Sequence, residues 1–185
     1  MEILGKQVVW EGSFLRTVLL SYRDHKGHLR RWEAVERVNC KGVVVIVPFT
    51  PEGEVLLTRQ YRPVLGRFVV EFPAGLNDKG ESMEAAARRE LIEETGYSSD
   101  EIVPLAEGPV SSGLSTEVLT CFCAKNARPA PLSLKQQYPP DENEDIEIIK
   151  TPISDVYGIL DSFRKQGDSI DIKVYGLLEL AKAQL

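Results

Sequence analysis

One stretch of 23 residues constrains this chain more than any other. Gly75 to Tyr97 reads GLNDKGESMEAAARRELIEETGY. It predicts a glycine-rich turn followed by an amphipathic helix. Ser82 suits the N-cap, where its hydroxyl can accept from an unpaired amide of the first turn. Gly96 suits the position just past the last turn, where left-handed backbone is needed. Met83, Ala86, Ala87 and Leu91 recur at helical spacing and predict a buried face.

The charges of this helix run against simple helix physics. Glu90 and Glu94 lie four apart on one face, a like-charge spacing that costs roughly 0.2–0.5 kcal/mol. Glu93 and Glu94 also fall in the last turn, where the helix dipole prefers cations. Arg89 can reach Glu93 at i+4, which leaves Glu90 and Glu94 without an obvious partner nearby. A solvated acidic face is one reading. A hard divalent cation is the other, since Mg²⁺ takes carboxylate oxygens and keeps several waters.

The spacing also resembles, position for position, the signature of the Nudix hydrolase family. That signature is a Gly, five residues, a Glu, seven residues, Arg-Glu, a bulky apolar residue, any residue, Glu-Glu, any residue, Gly and an apolar residue. Gly75, Glu81, Arg89, Glu90, Leu91, Glu93, Glu94, Gly96 and Tyr97 fill it here, with Tyr97 an aromatic at the last apolar position. The resemblance implies hydrolysis of a nucleoside diphosphate linked to another moiety, with Mg²⁺ as cofactor and Mn²⁺ as its substitute. It implies Glu90, Glu94 and the backbone carbonyl of Ala74 as metal ligands. Glu93 would be a further ligand or a catalytic-site carboxylate just behind them. Glu81 and Arg89 would brace the loop against the helix.

A chain of 185 residues is long enough for one domain with a sizeable core. Its net charge of −6 argues against nucleic-acid binding through a basic surface, but is no obstacle to a polyphosphate if metal supplies local positive charge. Three cysteines, Cys40, Cys121 and Cys123, form no disulfide framework and point to reduced thiols and a cytoplasmic location. Cys121 and Cys123 alternate along an expected strand and read as buried thiols. MEILGKQVVW lacks the apolar core of a signal peptide, and no apolar run approaches the length of a membrane span.

In chain order, Lys6–Trp10, Phe14–Tyr22 and His28–Val38 predict a β meander. The run GVVVIVPF, Gly42–Phe49, predicts a strand buried on both faces. The turn Thr50–Gly53 and the strand Glu54–Gln60 would complete a hairpin with it. Phe68–Phe72, Glu101–Glu107, Thr116–Ala124 and Ile146–Lys150 predict further strands. Asn126–Pro140 is proline-rich and predicts a long loop leading into the acidic cluster Asp141–Asp145. Ile153–Gln166 predicts a helix ended by Gly167, and Ser169 is the expected cap of a last helix that runs to about Ala183. Both helices are expected to pack on the sheet.

A narrower resemblance is to the ADP-ribose pyrophosphatase branch of the Nudix family. It rests on Arg-Trp-Glu-Ala-Val-Glu-Arg at residues 31–37, Gln-Tyr-Arg-Pro at 60–63 and Glu-Phe-Pro-Ala-Gly at 71–75. The likeness implies a homodimer in which the N-terminal sheet is exchanged, with Trp32, Glu33 and Arg37 holding the adenine. Arg62 would contact the substrate, and Glu142 or Glu144 would activate the attacking water. Glu117, just after Ser-Gly-Leu-Ser-Thr, reads from its position either as an additional substrate or metal contact or as a solvated carboxylate at a strand start. The implied fold is α/β: a Nudix α/β/α sandwich with a mixed sheet, residues 41–185, and an N-terminal antiparallel β extension, residues 1–40. The implied reaction is Mg²⁺-dependent hydrolysis of ADP-ribose to AMP and ribose 5-phosphate, on a small-molecule nucleotide sugar rather than nucleic acid or membrane. Ser112 stands where the branch usually carries a Pro, so a related substrate such as GDP-mannose is the alternative. A non-catalytic nucleotide-binding domain is a third reading, which the intact carboxylate set opposes.

Overall fold

A computed structural model describes residues 1–141 and 145–185. Three antiparallel strands open the chain: β1 (Glu2–Glu11), β2 (Leu15–Arg23) and β3 (Leu29–Arg37). They form a separate sheet in chain order, as the meander pattern predicts. Every residue of β1 is exposed, and Val18 of β2 and Ala34 of β3 are buried. The sheet leans on the turn at residues 111–115. Val35 N–H donates to the Leu114 carbonyl (2.8 Å) and Thr116 N–H to the Val35 carbonyl (3.2 Å).

The remainder holds two four-stranded sheets with helices on either side. β4 (Val43–Pro48) lies between β7 (Ala74–Leu76) and β10 (Val118–Lys125), and β9 (Glu101–Pro109) borders β10. The β4–β10 pair is parallel and the β4–β7 and β9–β10 pairs are antiparallel, which makes this sheet mixed. The second sheet runs β12 (Ile146–Pro152), β5 (Glu54–Arg62), β6 (Arg67–Glu71) and β13 (Ser169–Ile170). Two short strands, β8 (Tyr97–Ser98) and β11 (Arg128–Pro129), pair on their own.

The period of two along β4 divides the core. Val43, Val45 and Val47 join Val55, Leu57 and Val70 of the second sheet, together with Cys121, Cys123, and Val156 and Leu160 of α3 (Val156–Lys165). Val174, Leu177, Leu178 and Ala181 of α4 (Ile172–Lys182) complete that cluster. Val44 and Ile46 face the other way, onto Ala86, Ala87 and Leu91 of α1 (Met83–Thr95). A strand with a core on each side must be apolar throughout, which is what GVVVIVPF encodes.

Three expectations are corrected. β4 and β5 do not form a hairpin. The turn closes with Thr50 N–H on the Glu54 carbonyl (2.8 Å), Phe49 and Val55 share one antiparallel bridge, and the strands then part into different sheets. Both edges of β4 are already taken by β7 and β10, so none is left for β5. The 126–140 segment is not structureless: it holds β11 and a short helix, α2 (Leu132–Gln137). The cap of α4 is Asp171, whose carboxylate accepts from Lys173 N–H (2.9 Å), while Ser169 pairs with Val69 in β13. Within that helix Ile172 and Leu180 are exposed and Val174, Leu177 and Leu178 are buried. The buried cysteines behave as core residues, with burial pushing the Cys123 thiol up to about 11. No helix among the described residues is long and apolar enough to cross a membrane.

Candidate active site

The carboxylate helix begins and ends as its sequence predicts. The Ser82 hydroxyl accepts from Ala85 N–H (3.1 Å), and Gly96 adopts φ 67° with its N–H on the Ile92 carbonyl. Packing of Ala86, Ala87 and Leu91 under β4 fixes its rotation and turns Glu90, Glu93 and Glu94 towards a cleft of about 860 Å³.

Arg89 resolves the charge conflict of the last turns. Only 5% exposed, its guanidinium donates to Glu81 (2.7 and 2.9 Å), Glu90 (2.7 Å), Glu93 (2.6 Å) and the Leu76 carbonyl (3.0 Å). Burial disfavours its charge, but the carboxylates outweigh burial and hold its pKa above the ordinary value. Glu90 is therefore not left without a local partner, a correction to the sequence reading. Arg89 reaches sideways to i+1 as well as up to i+4 because the loop carbonyl and Glu81 hold its far edge.

The Ala74–Gly75 backbone lies directly under two of these carboxylates. Ala74 N–H donates to Glu94 Oε2 (3.1 Å). A Cβ placed on Gly75 would fall 1.9 Å from Glu90 Cδ, so glycine is required here for close approach. Gly75→Ala is expected to force the Glu90 side chain out of its place and to cost about 1–3 kcal/mol, measured by urea denaturation.

Among the described residues, no three His, Cys, Asp or Glu side chains converge as a ready-made metal cage. A hard divalent cation is commonly held by one or two carboxylates together with water and substrate phosphate. Glu90 and Glu94, anchored over adjacent peptide units, supply hard oxygen donors of the right kind. The charge balance agrees: nine carboxylates line the cleft against five cations, so a polyphosphate would need a bound cation to enter.

Arg37, Arg62, Ala74, Glu90, Glu93, Glu94 and Glu117 all line this cleft. Arg37 Nε donates to Glu117, and Ser115 Oγ accepts from Glu117 N–H (2.9 Å). Arg62 donates to Glu71 Oε1 through Nε (2.8 Å) and a terminal nitrogen (2.7 Å). Glu93 also has Lys79 at 3.6 Å. Trp32 and Glu33 do not line the cleft of this chain. The Trp32 indole, 49% exposed, donates to the Gly113 carbonyl (3.0 Å), and Glu33 is exposed on β3. Glu142 and Glu144 lie outside the described residues.

Among the cleft residues that escaped the sequence reading are Glu71, Asp171 and Lys173. Glu71 had a signal, since its segment precedes the signature, but α4 read as a packing helix. Burial raises the Glu71 pKa, Arg62 offsets part of the rise, and Asp171 adds to it. A carboxyl with a raised folded-state pKa supports the fold while protonated and withdraws that support as pH climbs through the folded value. Glu71→Gln is therefore expected to melt higher than the native chain at about pH 8, with the difference closing towards about pH 4. Thermal scans across that range test it.

Residues 39–164 match the family model described as NUDIX domain. Mouse ADP-sugar pyrophosphatase is 34% identical over 94% of this chain and 84% of its own length. The ADP-ribose pyrophosphatase of Bacillus subtilis is 32% identical, over 86% of this chain and 82% of its own. A solved structure described as an ADP compounds hydrolase superposes with a TM-score of 0.77, covering 99% of this chain and 92% of that one at 22% identity. That last likeness speaks to the fold.

Proposed function

Because the chain belongs to the Nudix hydrolase family, we propose that it hydrolyses the pyrophosphate of ADP-ribose to AMP and ribose 5-phosphate. One observation carries the reading: Arg89 and the Ala74–Gly75 backbone organise Glu90, Glu93 and Glu94 on a cleft that also holds Arg37, Arg62 and Glu117. The names of the mouse and Bacillus relatives support the substrate.

In this reading Glu90, Glu94 and the Ala74 carbonyl hold Mg²⁺, or Mn²⁺ in its place. Bound there, the ion supplies charge neutralisation at the phosphates and a lowered pKa for water. Glu93 keeps Arg89 drawn against the ligand face. Arg62, steadied by Glu71, binds a phosphate oxygen with donors not spent on that carboxylate. Glu142 or Glu144 takes the proton of a water as its oxygen attacks one phosphorus in line and the bridging P–O bond breaks.

Trp32 and Glu33 fit this scheme through a homodimer, in which residues 1–40 form the exchanged sheet and residues 41–185 the hydrolase domain. The exposed Ile3, Val8, Val9 and Trp10 of β1 support that reading, because an apolar edge sheet of this length favours a partner. A cytoplasmic location agrees with three cysteines kept as free thiols.

Ser112 does not prevent the turn that usually carries Pro. Leu114 N–H (2.9 Å) and Ser115 N–H (2.8 Å) both donate to the Ser111 carbonyl. ADP-ribose is therefore kept ahead of GDP-mannose. Product analysis with Mg²⁺ and equal ADP-ribose, GDP-mannose and UDP-glucose tests the choice. AMP from ADP-ribose is expected to exceed the other products at least about tenfold, a difference of about 1.4 kcal/mol in transition-state binding. Faster turnover of GDP-mannose would overturn the adenine reading.

A further inference from the structure

The wall of the cleft contributed by the C-terminal helix holds a charged cluster that the mechanism above leaves unused. β13 pairs in parallel with β6, Ser169 with Val69 and Ile170 with Val70, and Asp171 N–H then donates to the Val70 carbonyl (3.0 Å). This staple places the first turn of α4 beside Glu71, the next residue of β6. Asp171 and Lys173 therefore line the same cleft as Arg62 and Glu71. Both act electrostatically on Glu71, Asp171 raising its pKa and Lys173 lowering it, which reflects their proximity.

The five cleft cations are not equally able to serve a ligand. Arg89 is buried, and its donors go to three carboxylates and a carbonyl. Arg37 is turned on to Glu117 and Lys79 sits by Glu93. Arg62, at the end of β5, is held by Glu71, and Lys173, in the first turn of α4, acts on the same carboxylate. Lys173 Nζ donates to Asp171, a contact that uses one of an ammonium's three donors, and its side chain is about one third exposed. Asp171 also accepts from Lys173 N–H, so the carboxylate that caps the helix holds the ammonium at the cleft edge. An arrangement of this kind presents a hydrated point charge that can swing on to an anion without rebuilding the wall.

We propose that Lys173 is a substrate-binding residue, taking an oxygen of the diphosphate together with Arg62, in the cleft where β5, β6 and α4 meet around Glu71. The inference rests on the reading of the cleft as a diphosphate site. It adds a direct role for the C-terminal helix, whose buried residues otherwise serve the core.

The test uses the full chain with Lys173→Ala and Lys173→Arg. Steady-state kinetics on ADP-ribose are expected to show KM raised about tenfold in Lys173→Ala, with kcat within about twofold and most of the affinity restored in Lys173→Arg. Calorimetric titration with methylenediphosphonate in the presence of Mg²⁺ reads the same contact without turnover, and the Kd is expected to weaken about tenfold in Lys173→Ala. An unchanged KM and an unchanged Kd would overturn the proposal. So would equal losses in both variants accompanied by a lowered melting temperature, since that marks a structural role. If the native protein binds methylenediphosphonate but leaves ADP-ribose intact, the substrate reading fails and the titration still decides on Lys173. Native protein that fails to bind methylenediphosphonate overturns the diphosphate site and the proposal with it.

Discussion

Glu94→Gln is expected to lower kcat/KM for ADP-ribose by about 10³-fold, which corresponds to about 4 kcal/mol of lost transition-state stabilisation. The size follows from the two roles of this carboxylate. Glu94 Oε2 accepts from Ala74 N–H (3.1 Å), and in the proposed metal site its charge would be half of the anionic pair formed with Glu90. A glutamine can keep the first role, because its amide oxygen accepts the same bond. It cannot keep the second, since a neutral amide is a poorer ligand for a hard cation. The fold should therefore survive, with stability changed by no more than about 1 kcal/mol. Activity measured against Mg²⁺ concentration checks the cause, because the variant is expected to need more Mg²⁺ for half-maximal rate. A variant with native Mg²⁺ dependence and native rate would remove Glu94 from the metal site.

Arg89→Met carries the largest expected effect on stability. One guanidinium answers Glu81, Glu90 and Glu93 and closes the loop through the Leu76 carbonyl. Methionine fills similar space but leaves three largely shielded carboxylates facing one another. Removing one side of a buried ion pair costs about 3–5 kcal/mol, because the partner charge stays desolvated. Urea denaturation of the variant is expected to fall within that range. It is a large fraction of the roughly 5–15 kcal/mol that holds a domain together. Activity should fall as well, since Glu90 loses the bond that aims it. A loss of activity with no loss of stability would mean that Arg89 serves only the chemistry.

The balance of these two predictions shows how differently the parts of the site were written into the chain. Local physics is visible in one dimension. The caps at Ser82 and Gly96 depend on neighbours within four residues, and the structure keeps both. The alternation along β4 depends only on which faces are covered, and both are. Contacts made by sheet register are not visible that way. Glu71 and Lys173 are 102 positions apart, and it is the pairing of β13 with β6 that brings them to one wall. The hairpin expected from β4 and β5 failed for a similar reason: a turn sequence states that the chain reverses, but not which strand already occupies the edge.

The sequence by itself determined the family, the helix that carries Glu90, Glu93 and Glu94, and the doubly buried strand beneath it. Each is a matter of spacing along the chain, where residue type and period suffice. The tertiary structure alone decided that Glu90 presses on Gly75 and that α4 supplies Lys173 to the cleft. It also decided that Trp32 and Glu33 stand outside this chain's own cleft. These are outcomes of packing density and strand pairing, which set distances between residues far apart in sequence and have no signature in the sequence around either one.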